Sequence, residues 1–110
     1  PVRAVQTTQE PPPSPWYSDT AAARGAGLFA QRCARCHGAR GEKQLSAYPD
    51  LHRLSAETHA AFEAIVLGGQ LAEAGMASFA DVLTPADVSA IHGYLIREQR
   101  ALRNEERGPQ

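Results

Sequence analysis

The sequence predicts an all-α domain of three main helices joined by long loops. Three segments carry apolar residues at helical spacing behind good N-cap residues, and no segment sustains the period-two alternation of a half-buried strand. Two connections, 38–54 and 69–83, are too long for a compact helical domain unless they wrap or serve a site.

The stretch Q-E-P-P-P-S-P, Gln9 to Pro15, fixes φ repeatedly and removes amide donors, so residues 1–20 read as an extended linker or tether, with a frayed terminus as the plainer reading. Trp16 and Tyr17 are placed to pin it to the domain, which is expected over 21–103. Ser18, Asp19 and Thr20 offer N-caps for the first helix, which sets Gly25, Phe29 and Cys33 four apart on one face and ends at Cys33. The second helix follows Ser55, carries Phe62, Ile65 and Val66 as an apolar stripe, and stops at Gly68 and Gly69. The third opens with Thr84 as N-cap, Pro85 at the first helical position and Asp87 near the positive end of the dipole. Val88, Ile91 and Leu95 line its inner face beside Tyr94, and the charged end, 104–110, is expected to fray.

Composition narrows the function classes. With 43% hydrophobic and 21% charged residues in 110, the chain matches a single globular domain with a thin core that a large apolar cofactor would complete. The net charge of -1 lacks the basic footprint that nucleic acid requires, and no apolar run approaches a membrane span. The chain opens on Pro1 without an apolar leader, as expected of a mature secreted form or of a piece of something longer.

The only two cysteines stand in C-A-R-C-H-G, Cys33 to Gly38. C-x-x-C-H is the attachment signature of c-type haem. Two sulfurs at this spacing reach the two vinyl groups on one porphyrin edge, and the next residue, His37, is then placed to ligate the iron. The competing readings are weaker. Zinc needs two further ligands, and His52, His59 and His92 do not form the familiar finger spacing. A redox C-x-x-C belongs near a βαβ pattern, which is missing. Met76, in G-M-A-S-F, is the one methionine and sits in a glycine-bearing loop, so it is the candidate sixth ligand, with His52, His59 or a vacant position as alternatives. The carbonyl of Pro49 is a candidate acceptor for the other ring N–H of His37, an ordinary loop proline being the alternative. Leu51 and Leu54 are placed to cover a haem face, as are Phe62, Ile65 and Phe79, while Arg53 either pairs with a propionate or stays solvated. Arg32, Arg35 and Arg40 surround the attachment site as a candidate docking face for an acidic partner.

Through G-A-G-L-F-A-Q-R-C-A-R-C-H-G, Y-P-D-L, I-V-L-G-G, G-M-A-S-F and the final Y-L helix, the sequence resembles class I cytochrome c domains. Within that class it is similar to the C-terminal cytochrome domain of type II quinohaemoprotein alcohol dehydrogenases, from about Arg24 to Arg97. The resemblance implies a small cytochrome c fold wrapped around one covalent haem c. Cys33 and Cys36 then carry the thioethers, His37 and Met76 ligate the iron, and the Pro49 carbonyl accepts from His37. It also implies that Gly25 and Phe29 meet the last helix around Tyr94. In the family, a dehydrogenase holding pyrroloquinoline quinone oxidises an alcohol and passes electrons singly to this haem and on to an external acceptor. The segment itself is expected to hold no quinone and to be periplasmic, since this haem is attached outside the cytoplasmic membrane. One departure is Ala77, where many cytochromes have proline after the axial methionine. Two other readings remain at this stage: a haem sensor or enzyme with an open sixth position, and a free-standing soluble cytochrome.

Overall fold

A computed structural model describes residues 8–13, 18–37, 50–76 and 78–108, with the side chains of Arg35, Cys36 and Ala74 outside that description. All regular structure among these residues is helical. Helix α1 spans Asp19–Arg32; the Ser18 hydroxyl accepts from the Ala21 amide at 3.1 Å, and Asp19 complements the dipole. Its inner face is Ala22, Gly25, Phe29 and then Cys33, the spacing expected of a helix stripe. Cys33 keeps right-handed backbone angles, so the chain runs on into a single turn, α2 (Ala34–His37), where the His37 amide donates to the Cys33 carbonyl at 3.0 Å.

The expected second helix is present as two short pieces, α3 (Ala56–Ala60) and α4 (Phe62–Val66). At Ala61, ψ opens to 4°, and its amide is shared between the Glu57 and Thr58 carbonyls at 3.1 and 3.2 Å. The Ile65 amide still donates to the Ala61 carbonyl, so the break bends a helical path without ending it. The long final helix, α5 (Pro85–Arg107), starts in a capping box: the Thr84 hydroxyl accepts from the Asp87 amide and the Asp87 carboxylate accepts from the Thr84 amide. Those bonds, first the one from the Thr84 amide and then the Arg24 guanidinium beside it, hold the Asp87 carboxyl below its ordinary range.

α1 and α5 cross at Gly25, where an added Cβ would overlap the Ala90 carbonyl, so only glycine permits the approach. One turn on, the Phe29 and Tyr94 rings meet at 5.6 Å, as the family resemblance implies. Phe29, Cys33, Leu54, Phe62, Val66, Leu83, Val88, Ile91 and Leu95 form the core.

Residues 8–13 and the last turns of α5 are tied to one another. Residues 8–13 lie antiparallel along α5 as a strap. The Gln99 side-chain amide donates to the Gln9 carbonyl at 2.9 Å, Arg100 to the Pro12 carbonyl at 3.0 Å and Arg103 to the Thr8 carbonyl at 2.9 Å. The Thr8 amide donates to Glu106, which Arg53 also holds at 2.5 Å. These bonds hold the last turns of α5, which continues to Arg107, four residues into the segment 104–110. Hydrogen bonds from Thr8, and then Arg53, hold the Glu106 carboxyl below its ordinary range.

Candidate functional site

Cys33 closes α1, His37 closes α2, and both face a cavity of about 320 Å³. The Leu51–Leu54 segment and the α3–α4 unit supply its apolar wall through Leu51, Leu54, Ala61, Phe62, Ile65 and Val66. Glu57 and Thr58 add polar atoms at one side. Met76 and Leu71 reach it from the 69–83 loop, which is built to present them. A 3₁₀ turn over Ala72–Ala74 ends at Gly75 with φ 106°, a left-handed conformation that glycine adopts without strain, and the Met76 amide donates to the Leu71 carbonyl at 3.1 Å. Two bonds then tie the loop back to α4: the Phe79 amide to the Val66 carbonyl at 2.8 Å, and the Ser78 hydroxyl to the Leu67 carbonyl at 2.7 Å.

The cavity thus gathers Cys33, His37, Leu51, Phe62, Ile65 and Met76 of the residues singled out in the sequence. Two others stand apart from its lining. Phe79 packs against the core beyond α4, and Arg53 is engaged by Glu106, by Asp50 at 3.4 Å and by the Thr8 hydroxyl at 2.7 Å. Pro49, Arg40, Trp16, Tyr17 and Ala77 lie outside the described residues, and so do the side chains of Cys36 and Arg35; Arg32 is exposed.

Neither alternative histidine lines the cavity. His52 is buried against the edge of Phe29, with its amide and Nδ1 on the Asp50 carboxylate at 2.9 and 3.2 Å. Both ring nitrogens of His59 are taken, Nδ1 by His92 at 2.8 Å and Nε2 by Gln99 at 2.9 Å. Sequence reasoning missed this pair and Gln99, because hydrogen bonds between distant helices leave no periodic signal. Thr58, Ala61 and Leu71 went unnoticed as lining residues for a similar reason, being small, polar or in a loop.

The donor set fits a c-type haem: a cysteine, an imidazole and a thioether line one largely apolar cavity. Burial pushes the Cys33 thiol up to about 11, away from the lowered range of a nucleophilic thiol. Among the described residues no cluster of three or more His, Cys, Asp or Glu is placed to hold a metal ion without the porphyrin.

Comparison with known proteins agrees. Residues 20–95 match the family described as "Cytochrome C oxidase, cbb3-type, subunit III". The chain is 39% identical over 105 residues to quinohemoprotein alcohol dehydrogenase ADH-IIG of Pseudomonas putida, an alignment covering 88% of this chain and 14% of that protein. It is 32% identical over 87 residues to 1-butanol dehydrogenase (cytochrome c) of Thauera butanivorans, covering 79% of this chain and 13% of that one. The solved structure of the Pseudomonas putida HK5 ADHIIG enzyme superposes with a TM-score of 0.70 at 34% identity, over 94% of this chain and 15% of that one. The chain therefore spans only about a seventh of these dehydrogenases. Domain match, fold and donor set together assign it: the chain belongs to the Cytochrome_CBB3 family as a c-type cytochrome domain, homologous to the electron-transfer domain of the quinohemoprotein alcohol dehydrogenases.

Proposed function

We propose that this domain carries one haem c, bound through thioethers from Cys33 and Cys36 and ligated by His37 and Met76, and shuttles single electrons. The observation that carries the reading is the meeting of His37 and Met76, from opposite halves of the sequence, on one apolar cavity beside Cys33. Haem bound there supplies a one-electron couple. The residues set its character. His37 ends the single turn α2 that follows directly on Cys33 at the end of α1, and its amide is held by the Cys33 carbonyl. The Met76 thioether favours the ferrous state and so raises the potential, and the leucine, isoleucine and phenylalanine wall acts in the same direction by excluding water. The Pro49 carbonyl is the proposed acceptor for the remaining N–H of His37.

The relatives supply the partner. Two of those compared are quinohemoprotein or cytochrome c-linked dehydrogenases, so the proposed donor is a PQQ-dependent dehydrogenase domain or protein and the acceptor a second redox protein, in the periplasm. No helix among the described residues is long and apolar enough to cross a membrane.

The test is acid-acetone extraction of the purified protein, made with the haem-attachment machinery present, followed by intact mass measurement. Colour and the mass of one haem that stay with the chain support the reading. Haem that extracts, or stays on when both cysteines are replaced by alanine, contradicts it.

A further inference from the structure

Buried His59 and half-buried His92 do not line the cavity, yet they stand directly behind its wall. Phe62 lines the cavity and stacks on His92 with ring centroids 4.4 Å apart and planes 7° from parallel. His59 meets His92 edge to edge, with ring centroids 5.1 Å apart and planes 22° from parallel, as the hydrogen bond between their nitrogens requires.

The hydrogen-bond pattern fixes where the protons are. Gln99 is fully buried; its amide nitrogen donates to the Gln9 and Leu54 carbonyls, each at 2.9 Å, and its oxygen accepts from the Leu54 amide at 3.0 Å. That oxygen can only accept from His59 as well, so His59 carries its proton on Nε2 and accepts at Nδ1. His92 must then donate through Nε2. Its Nδ1, with no partner among the described residues, is not sealed from solvent. One extra proton arriving at that Nδ1 breaks no bond, and its charge passes to His59 when the shared proton crosses the 2.8 Å gap. A second proton would set donor against donor. The pair is built for one.

We propose that His59 and His92 form a single-proton acceptor coupled to the haem, so that the domain takes up a proton when it takes up an electron. The inference rests on haem occupying this cavity. One electron comes from the reducing partner and one proton from water through the His92 Nδ1; both leave on oxidation, and no other bond changes. Reduction removes one positive charge from the cavity, and across a single layer of apolar side chains that change is weakly screened. Among the described residues the two rings bond to one another and to neutral Gln99, and no charged side chain is hydrogen-bonded or ion-paired to either. That holds for Glu57 and Glu63 on the α3–α4 unit and for Asp87, Arg97, Glu98, Arg100, Arg103, Glu105, Glu106 and Arg107 on α5. Burial keeps both rings neutral at neutral pH, so the coupling operates on the acid side.

The test is NMR titration of the two imidazoles in the holo-protein, oxidised and reduced, with the visible spectrum of the same tube confirming that haem is bound. The expected result is one shared titration, with proton binding roughly fivefold tighter in the reduced form. The reduction potential should correspondingly fall as pH rises through that window and level off above it, with most of the slope lost in His92→Phe. Identical titrations in the two oxidation states overturn the proposal, whatever the variant does. So does an unchanged slope in a folded His92→Phe protein. A sample without haem bands would contradict the cavity assignment instead.

Discussion

Gly25 and Ala90 meet backbone to backbone, and the carbonyl of Ala90 occupies the space a side chain on Gly25 would need. Gly27, two residues on, has nothing within 4 Å of the same position. The pair makes a controlled experiment. Gly27→Ala gains helix propensity and should stabilise the holo-protein by about 0.5–1 kcal/mol. Gly25→Ala forces α1 from α5 and should destabilise it by roughly 1–3 kcal/mol. Denaturant midpoints at fixed haem occupancy measure both.

Gln99 holds four groups, and replacing it with leucine leaves the buried Leu54 amide and the His59 N–H without an acceptor. The expected loss is about 3 kcal/mol, because unmet buried donors cost more than a bond is worth when made. The strap loses its Gln9 anchor as well. Limited proteolysis should therefore cut near residues 8–13 faster in Gln99→Leu than in the parent.

Acid should weaken the fold through the same cluster. Burial, and then the neighbouring His59, hold His92 at about 4, against 6.5 in an unfolded chain. Between those values the unfolded state binds more protons, so the contribution is complete above pH 6.5 and is lost as pH falls towards 4. At about 1.4 kcal/mol per pH unit the loss is at most about 3 kcal/mol, and solvent screening of the half-buried ring reduces it. His92→Phe should flatten this part of the stability profile, measured by unfolding at several pH values.

The exposed Arg32 precedes the cysteine motif and Arg35 lies within it in sequence, and like-signed charges at a docking face act mainly on encounter. Replacing both with glutamate should slow electron exchange with an acidic partner at low salt and have little effect at high salt. Stopped-flow rates across ionic strengths decide it.

Helix starts were legible in the sequence because capping is local: Ser18, Ser55 and Thr84 each cap the helix their side chains predict. The cytochrome family was legible because C-x-x-C-H is a contiguous motif, and the family match over residues 20–95 agrees with it. Met76 could be singled out since it is the only methionine and its loop contains glycine. What the sequence hid is long-range. The docking of 8–13 on α5 depends on arginine and glutamine side chains that in one dimension read as a solvated helix face. The His59–His92–Gln99 chain spans 40 residues with no motif. Arg53 has the charge for a propionate but finds Glu106 on a helix that sequence patterning left frayed.

The most direct test of the ligand set is the weak far-red absorption band that a methionine sulfur on ferric haem produces, recorded at neutral pH for the parent protein and for Met76→Leu. The account predicts the band in the parent and its loss in the variant, with the haem still covalently attached in both and carbon monoxide binding rapidly only to the reduced variant. A parent protein with covalent haem but no such band, or a variant that keeps it, would contradict the assignment of Met76 to the iron.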